Sequence, residues 1–241
     1  MEPVRTHRAR SVVEAARLHR GKERRERGLT LVEGPQLVAD VLSAGAVARE
    51  IFGLEGEAAI TLVDQRALER LAGTKTPRGP VAVVEIPTEW LDRGRNLLVS
   101  VGVSDPGNVG TMVRTAAAYG WGFAYFTGSA DPWSPKTIRA GAGGQFQTSV
   151  SRIGSLDDLT EWTSVATVPR GGAEFEELRE RPVAVLIGEE AGGLEEWMIE
   201  SAAYRLTIST PGPTESLNAA VAAAIAVHEL SKGSGDDLSG V

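Results

Sequence analysis

The sequence predicts an α/β protein in two parts, a small α/β unit followed by a larger one whose sheet is parallel and covered by helices on both faces. Three observations carry that prediction. Apolar, β-branched runs recur along the chain, among them LTLVE at 29–33, VAVVEI at 81–86, NLLVSVGV at 96–103 and VAVLI at 183–187. Runs of this length bounded by turn residues read as strands, and those without polar alternation suit a sheet buried on both faces. Segments with helical spacing lie between them, so strand and helix alternate. Finally, PTEWLDRGR at 87–95 breaks the alternation with Pro, Gly and mixed charge and reads as a linker between 1–86 and 96–232.

From the N terminus, nine Lys or Arg between Arg5 and Arg27 meet only Glu14, Glu23 and Glu26. Val12, Val13, Ala16 and Leu18 give this stretch apolar positions, and a basic helix is expected. In a chain of net charge −7 it is the segment suited to neutralising phosphates, although a solvated, charge-laced helix explains it equally well. LTLVE is then a strand, PQLVADVLSA a helix closed by Gly45, and REIFG and ITLVD short strands. QRALERLA is a helix capped by Asp64 and stopped by Gly73, and VAVVEI a further strand. The loop TKTPRGP at 74–80 sets Lys75 and Arg78 among turn formers, to touch phosphate or simply to be solvated. In the second part, NLLVSVGV, the loop SDPGNVG, the helix TMVRTAAAY stopped at Gly120 and the strand GFAYF make a βαβ unit. SVATV, VAVLI and YRLTI are strands, each followed by a Gly- or Pro-rich loop and a helical segment, and residues 233–241 read as a disordered tail.

Several function classes are excluded. The chain has no cysteine, which removes disulfides, thiolate nucleophiles and cysteine zinc sites. His7, His19 and His228 are far apart and none sits in an HExxH spacing, so no metal is expected. No uncharged run reaches the roughly 18 apolar residues of a membrane span, and the Arg-rich start lacks the apolar core of a signal peptide. A cytoplasmic protein with no membrane partner is expected. There is no GxxxxGK[ST], and AGAGG at 140–144 lacks GxGxxG spacing and a preceding strand, so phosphate-loop and ordinary dinucleotide binding fall away.

Ligands of open α/β sheets bind beyond the carboxyl ends of the strands, where SDPGNVG, TVPRGG, IGEEAGGL and STPGPTESLN all fall. Asn108 stands at a helix entrance, where an amide either caps the first turn or reaches a ligand. Arg114 is harder to dismiss, because an Arg on a helix of Ala, Val and Met calls for a partner or a phosphate. Glu189 and Glu190 follow a buried strand, as first-turn charges favoured by a helix dipole or with one facing the ligand.

At these residues a family comes into view. DPGNVGTMVRTAAAYG, IGEEAGGL and LTISTPGPTESLNAAVAAAI resemble, in order and spacing, the three motifs of the SpoU/TrmH family of RNA ribose methyltransferases, part of the SPOUT class. LTLVEGPQLV is similar to the small ribosomal-protein-like RNA-binding domain that many members carry in front, and SADPWSPKTIRAGAGGQF at 129–146 resembles the stretch between the first two motifs, with Lys136 and Arg139 as RNA contacts. The resemblance implies a deep trefoil knot in the C-terminal segment, an exception to unknotted topology. It also implies a homodimer, and S-adenosylmethionine held in the knot by Thr167, Gly188, Ile208 and Leu217, largely through backbone groups. Asn108, Arg114, Glu190, Ser216 and Asn218 match the family's catalytic polar positions. The chain departs from many members at Glu189, where they carry Asn or a small residue.

Methyl transfer to a ribose 2′-hydroxyl is an in-line displacement, in which positioning supplies much of the rate. A guanidinium is a poor proton acceptor at neutral pH, so the role implied for Arg114 is to grip a phosphate and stabilise developing alkoxide charge. Glu190 and Asn108 are expected to orient Arg114 and the ribose, and Ser216 and Asn218 to shape the pocket. The Ala-rich helix after them is expected to pack closely against the sheet and a partner subunit. The basic arm and front domain favour a structured ribosomal RNA, 23S rRNA, over transfer RNA, in ribosome maturation or antibiotic resistance. A transfer RNA methyltransferase and a non-catalytic RNA-binding protein of the same fold are the alternatives.

Overall fold

The computed structural model describes residues 4–74, 76–173, 175–178, 182–212 and 217–232, excepting the side chains of 176 and 177. Lys75 and the expected tail at 233–241 lie outside the described residues. The chain divides into two compact units, Met1–Thr88 with Asp131–Gln147 and Glu89–Ala130 with Thr148–Val241.

In the first unit the basic stretch is two helices rather than one, α1 (Arg10–Ala16) and α2 (Gly21–Arg27), joined by a 3-10 turn at Arg17–His19. The break falls at Arg20, whose backbone is extended at φ −90° and ψ 129°. It lets Val12, Ala15 and Leu18 stay in the core while the Arg24 guanidinium, 4% exposed, turns inward to donate to the Leu18 carbonyl at 2.7 Å. Then follow β1 (Leu29–Glu33), α3 (Pro35–Ser43), β2 (Ala48–Gly53), β3 (Thr61–Leu62), α4 (Gln65–Ala72) and β4 (Val81–Glu85). The strand order is β1-β4-β2-β3, antiparallel except for the last pair. Asp64 caps α4 by accepting from the Ala67 N–H at 2.7 Å, and Gly73 ends it in the left-handed region, as the sequence predicts. Alternation along β1 and β4 sends Leu31, Val81 and Val83 into one apolar cluster and Val32, Ala82 and Val84 into another.

The second unit begins with β5 (Leu97–Ser100), α5 (Pro106–Ala118) and β6 (Gly122–Phe126). The chain then contributes α6 (Pro135–Ala140) to the first unit and continues in the second as β7 (Val150–Ile153), β8 (Thr163–Thr167), β9 (Val183–Ile187), α7 (Glu196–Ser201), β10 (Tyr204–Leu206) and α8 (Ala219–Ser231). The sheet order is β10-β8-β9-β5-β6-β7 and every pairing is parallel. Leu97, Val99, Ala124, Ala166, Ala184 and Leu186 from its strands share one core cluster with Trp162 and Met198.

Three features differ from the sequence expectation. The helix α5 starts at Pro106, five residues before the expected TMVRTAAAY, because Asp105 caps it and a proline at the first helical position lacks only an N–H that has no partner there anyway. The short edge strand β7 was not expected, its VSRI being flanked by polar residues without a longer apolar run. Residues 131–147, assigned by sequence to the second part, pack into the first unit. There Ile138 is fully buried among Val32, Val38 and Val41, Thr30 donates to the Trp133 carbonyl at 2.6 Å, and Arg24 pairs with Asp131 at 2.6 Å.

Among the described residues no helix is long and apolar enough to cross a membrane. The Arg24–Asp131 pair yields a test of the first unit's packing. Removing one partner leaves a buried charge uncompensated. Asp131→Ala is expected to lower the stability of this unit by roughly 2–3 kcal/mol in urea titration followed by tryptophan fluorescence, and Arg24→Met combined with Asp131→Leu to recover most of the loss.

Candidate active site

The strands β10, β8 and β9 are neighbours, so their carboxyl ends bring Thr167, Gly188 and Ile208 to one edge of the sheet. Thr167, half-buried at the end of β8, donates from Oγ1 to the Leu186 carbonyl at 2.8 Å. Beyond it the chain is latched onto the segment leading to Ile208. The Val168 N–H donates to the Leu206 carbonyl at 2.8 Å, the Gly172 N–H to Thr207 Oγ1 at 2.9 Å and the Ala173 N–H to the Arg205 carbonyl at 2.6 Å.

After β9 the chain closes on itself at Gly188. A Cβ there would stand 2.3 Å from the Gly193 carbonyl carbon and 2.6 Å from the Leu194 nitrogen, so a side chain is excluded by backbone. The Gly193 N–H completes the loop by donating to the Glu189 carbonyl at 2.9 Å. The loop presents Glu190. Its Oε1 accepts from Asn108 Nδ2 at 2.7 Å and also from Asn218 Nδ2, which reaches Asn108 Oδ1 at 3.1 Å. Asn218 does double duty, since its Oδ1 accepts from the Ala220 and Val221 N–H groups at 3.0 and 3.2 Å and so caps α8.

Asn108, Glu190 and Asn218, one from each motif, thus meet in a single hydrogen-bonded cluster. The capping alternative for Asn108 does not hold, because Asp105 accepts from the Asn108 N–H at 2.9 Å and leaves its amide free. Asp105 was not singled out in the sequence, though an Asp before a Pro at a helix start carries the signal. Nor was the Thr207 latch, whose hydroxyl gives no local cue.

Arg114 is placed differently from expectation. It stands on the exposed strip of α5 with Thr111 and Ala118, about 9 Å along the helix axis from Asn108 and roughly a third of a turn around it. Among the described residues it has no hydrogen-bond or ion-pair partner, so Glu190 and Asn108 hold each other and Asn218 rather than Arg114. Glu189 is exposed and its Oε1 lies over Gly192, where a Cβ would come within 2.7 Å of it. Leu217 is half-buried just before the Asn218 cap, and Ser216 lies outside the described residues.

Beside the cluster, α5 and α8 border an open groove of about 580 Å³ lined by Thr111, Val221, Ala224, Ile225 and His228. Tyr119 Oη and His228 Nδ1 share a hydrogen bond of 2.9 Å nearby. Ala219, Ala223 and Ala226 of α8 are buried away from the groove lining, and Ala220, also buried, borders it.

Residues 95–228 match the family described as SpoU rRNA Methylase. Across 95% of its length the chain is 32% identical to the 23S rRNA (guanosine(2553)-2′-O)-methyltransferase RlmP of Bacillus subtilis strain 168, covering 99% of that protein. The chain belongs to the SpoU rRNA methylase family. It is, as its motifs predict, an S-adenosylmethionine-dependent RNA methyltransferase, and its parallel α/β sheet is that of the SPOUT class. The 23S rRNA (uridine(2479)-2′-O)-methyltransferase of Streptomyces viridochromogenes is 29% identical over 76% of this chain and 70% of its own. Among solved structures, the AdoMet-bound rRNA methyltransferase of Sinorhizobium meliloti superposes with a TM-score of 0.81 at 26% identity, covering 95% of this chain and 98% of that one. The edge formed by Thr167, Gly188 and Ile208 suits such a methyl donor in kind, with close backbone at Gly188, a half-buried Ile208, and Glu189 and Glu190 next in the chain after Gly188.

The cluster generates a direct test. Glu190→Ala removes the acceptor shared by both amides, and an oriented polar group at a reacting centre is typically worth about two orders of magnitude in rate. The expected result is a fall in kcat of at least about tenfold in methyl incorporation, with a melting temperature close to that of the unaltered protein because the Glu190 side chain is exposed.

Proposed function

We propose that the protein methylates a ribose 2′-hydroxyl of 23S rRNA. The observation that carries this reading is the Asn108–Glu190–Asn218 cluster, which stands beside the strand ends bearing Thr167, Gly188 and Ile208. The two named relatives act on 23S rRNA, one at a guanosine and the other at a uridine, which favours this RNA and leaves the base open. An rRNA target sets the site of action in the cytoplasm.

Bound S-adenosylmethionine supplies an electrophilic methyl group on a sulfonium. Thr167, Gly188, Ile208 and Leu217 would hold it, mainly through backbone and apolar contact. Glu190 receives both amides on one oxygen, Oε1, and turns Oε2 to a ribose hydroxyl, so that hydroxyl is aligned by a carboxylate already fixed by two hydrogen bonds. Arg114, exposed and unpaired among the described residues, takes a phosphate of the target nucleotide and stabilises negative charge developing on the attacking oxygen. Ser216, assigned by its place in the motif alone, is the remaining polar candidate of the set.

The finer architecture implied by the family belongs to this reading too: a trefoil knot around the donor, an RNA-binding front unit and a homodimer. The groove between α5 and α8 supports the dimer, because Val221 in its lining is 47% exposed and Tyr119, bonded to the groove residue His228, is 43% exposed. Ala223 is fully buried and packs within its own chain, so the partner-facing positions are Val221, Ala224 and Ile225.

Incubation with labelled donor and separated RNA classes, followed by mapping of the methylated ribose, tests the activity. Label in 23S rRNA is expected, whereas label confined to transfer RNA, or donor binding without transfer to any RNA, overturns it. Arg114→Ala should lose methylation by at least 100-fold while calorimetric affinity for the donor stays within a few-fold. Val221→Glu should convert the dimer to a monomer in sedimentation analysis without loss of helical circular dichroism.

A further inference from the structure

Glu189 and Glu190 are consecutive and both exposed, but they are disposed differently. Glu190 is held by Asn108 and Asn218 through one carboxylate oxygen. The Glu189 carboxylate has no hydrogen-bond or ion-pair partner among the described residues, yet two glycines define its place. Its Cβ lies beside Gly102, where an added Cβ would stand 3.9 Å away, and its Oε1 lies over Gly192, where an added Cβ would stand 2.7 Å away. Gly192 does not have the positive φ that calls for glycine, unlike Gly193 at φ 67°. What the missing side chain leaves at 192 is room for this carboxylate.

The sheet order fixes the side of the site on which Glu189 stands. β9 lies between β8 and β5, and the residues assigned to the methyl donor, Thr167, Gly188 and Ile208, belong to the edge made by β10, β8 and β9. Gly102 follows β5, the neighbour of β9 on its other side. Glu189 therefore leans away from the donor edge, toward the loop that leads from β5 into α5 and Asn108. A nucleotide whose ribose meets Glu190 has its base on that side when the donor fills the other.

At a surface that receives a polyanion, an unpaired carboxylate is unfavourable unless the RNA brings it a hydrogen-bond donor. The ribose hydroxyl of the target nucleotide is assigned to Glu190, and the remaining donors of that nucleotide are the N–H groups of its base. A carboxylate only accepts, through two oxygens. Guanine is the base that sets two donors side by side, N1–H and the 2-amino group, and so matches both oxygens at once. Adenine and cytosine set one amino group beside an acceptor nitrogen, and uracil sets one N–H between two carbonyls, which repel the second oxygen. We infer that Glu189 reads the base of the target nucleotide and selects guanosine. Unstacked bases of single-stranded RNA are commonly recognised on this edge. The assignment rests on the reading of the protein as an rRNA ribose methyltransferase and names the base which that reading leaves open.

The test uses the full-length protein, labelled S-adenosylmethionine and a 23S rRNA transcript. The methylated ribose is mapped first, and the base at that position is expected to be guanine. The transcript is then rebuilt with inosine there, which lacks only the 2-amino group. With the unaltered protein, inosine should lower kcat/KM by about tenfold, the effect of losing one hydrogen bond to a charged acceptor. Glu189→Ala should lower kcat/KM on the guanosine transcript by at least about tenfold and use guanosine and inosine alike within about twofold. Its melting temperature and its calorimetric affinity for the donor should match those of the unaltered protein. Methylation at a ribose bearing another base, equal use of guanosine and inosine by the unaltered protein, or a preference that survives Glu189→Ala overturns the assignment and leaves the activity standing. A loss of donor affinity in Glu189→Ala overturns it in favour of a cofactor contact. Absence of label from every RNA overturns the ribose methyltransferase reading, and the assignment falls with it.

Discussion

Glu190 Oε1 is the atom on which the arrangement of the site depends. It receives Asn108, 82 residues away in sequence, and Asn218, 28 residues away, and so makes one surface of three segments that no backbone pairing joins directly. Each donor is already fixed by the start of a helix. Asn108 lies in the first turn of α5 behind its Asp105 cap, and Asn218 is itself the cap of α8. The acceptor is fixed by the closure of its loop at Gly188 against Gly193. Because the three anchors are backbone structures, the cluster can be rigid although Glu190 and Asn218 are exposed and Asn108 is only half-buried. A fixed constellation is what an in-line displacement needs from a protein.

The parallel sheet explains why the cluster lies beside the expected donor residues. With β10, β8 and β9 adjacent and codirectional, the residues that follow each strand emerge at one edge, and the Thr207 hydroxyl with the Leu206 and Arg205 carbonyls latches the loop after β8 to the segment after β10. Arg114 stands apart from this network, on the outer strip of α5. An arginine left without an internal partner is free to meet an anion that arrives with the substrate, whereas one held by Glu190 would first have to exchange partners.

Charge is divided between structure and surface in the same way. In a protein of net charge −7 that acts on RNA, a cation buried in an internal pair is not available to a phosphate. Arg24 illustrates the first use, being buried between the Leu18 carbonyl and Asp131 and tying residues 131–147 to the N-terminal helices. Exposed Arg78 and Lys136 illustrate the second. Counting basic residues along the sequence cannot separate the two, because the difference lies in which carboxylates the fold brings within reach.

Much of the fold was legible where local rules are strong. Asp64 and Gly73 mark the ends of α4, GFAYF and VAVLI appear as β6 and β9, and motif position alone singles out Asn108, Glu190 and Asn218. Less was legible where a residue's environment comes from far along the chain. The break at Arg20 follows from the inward turn of Arg24, β7 exists because β6 offers it an edge, and residues 131–147 join the first unit because Ile138 completes a cluster around Val32 and Val38. The sequence by itself determined the elements, the family and the chemical types at the site, since propensity, caps and motif spacing act over a few residues. Tertiary structure decided the partners, that Asn108 binds Glu190 instead of capping and that Arg24 is buried while Arg114 is exposed, because a hydrogen bond between groups 82 or 107 residues apart is chosen only when packing sets them within about 3 Å.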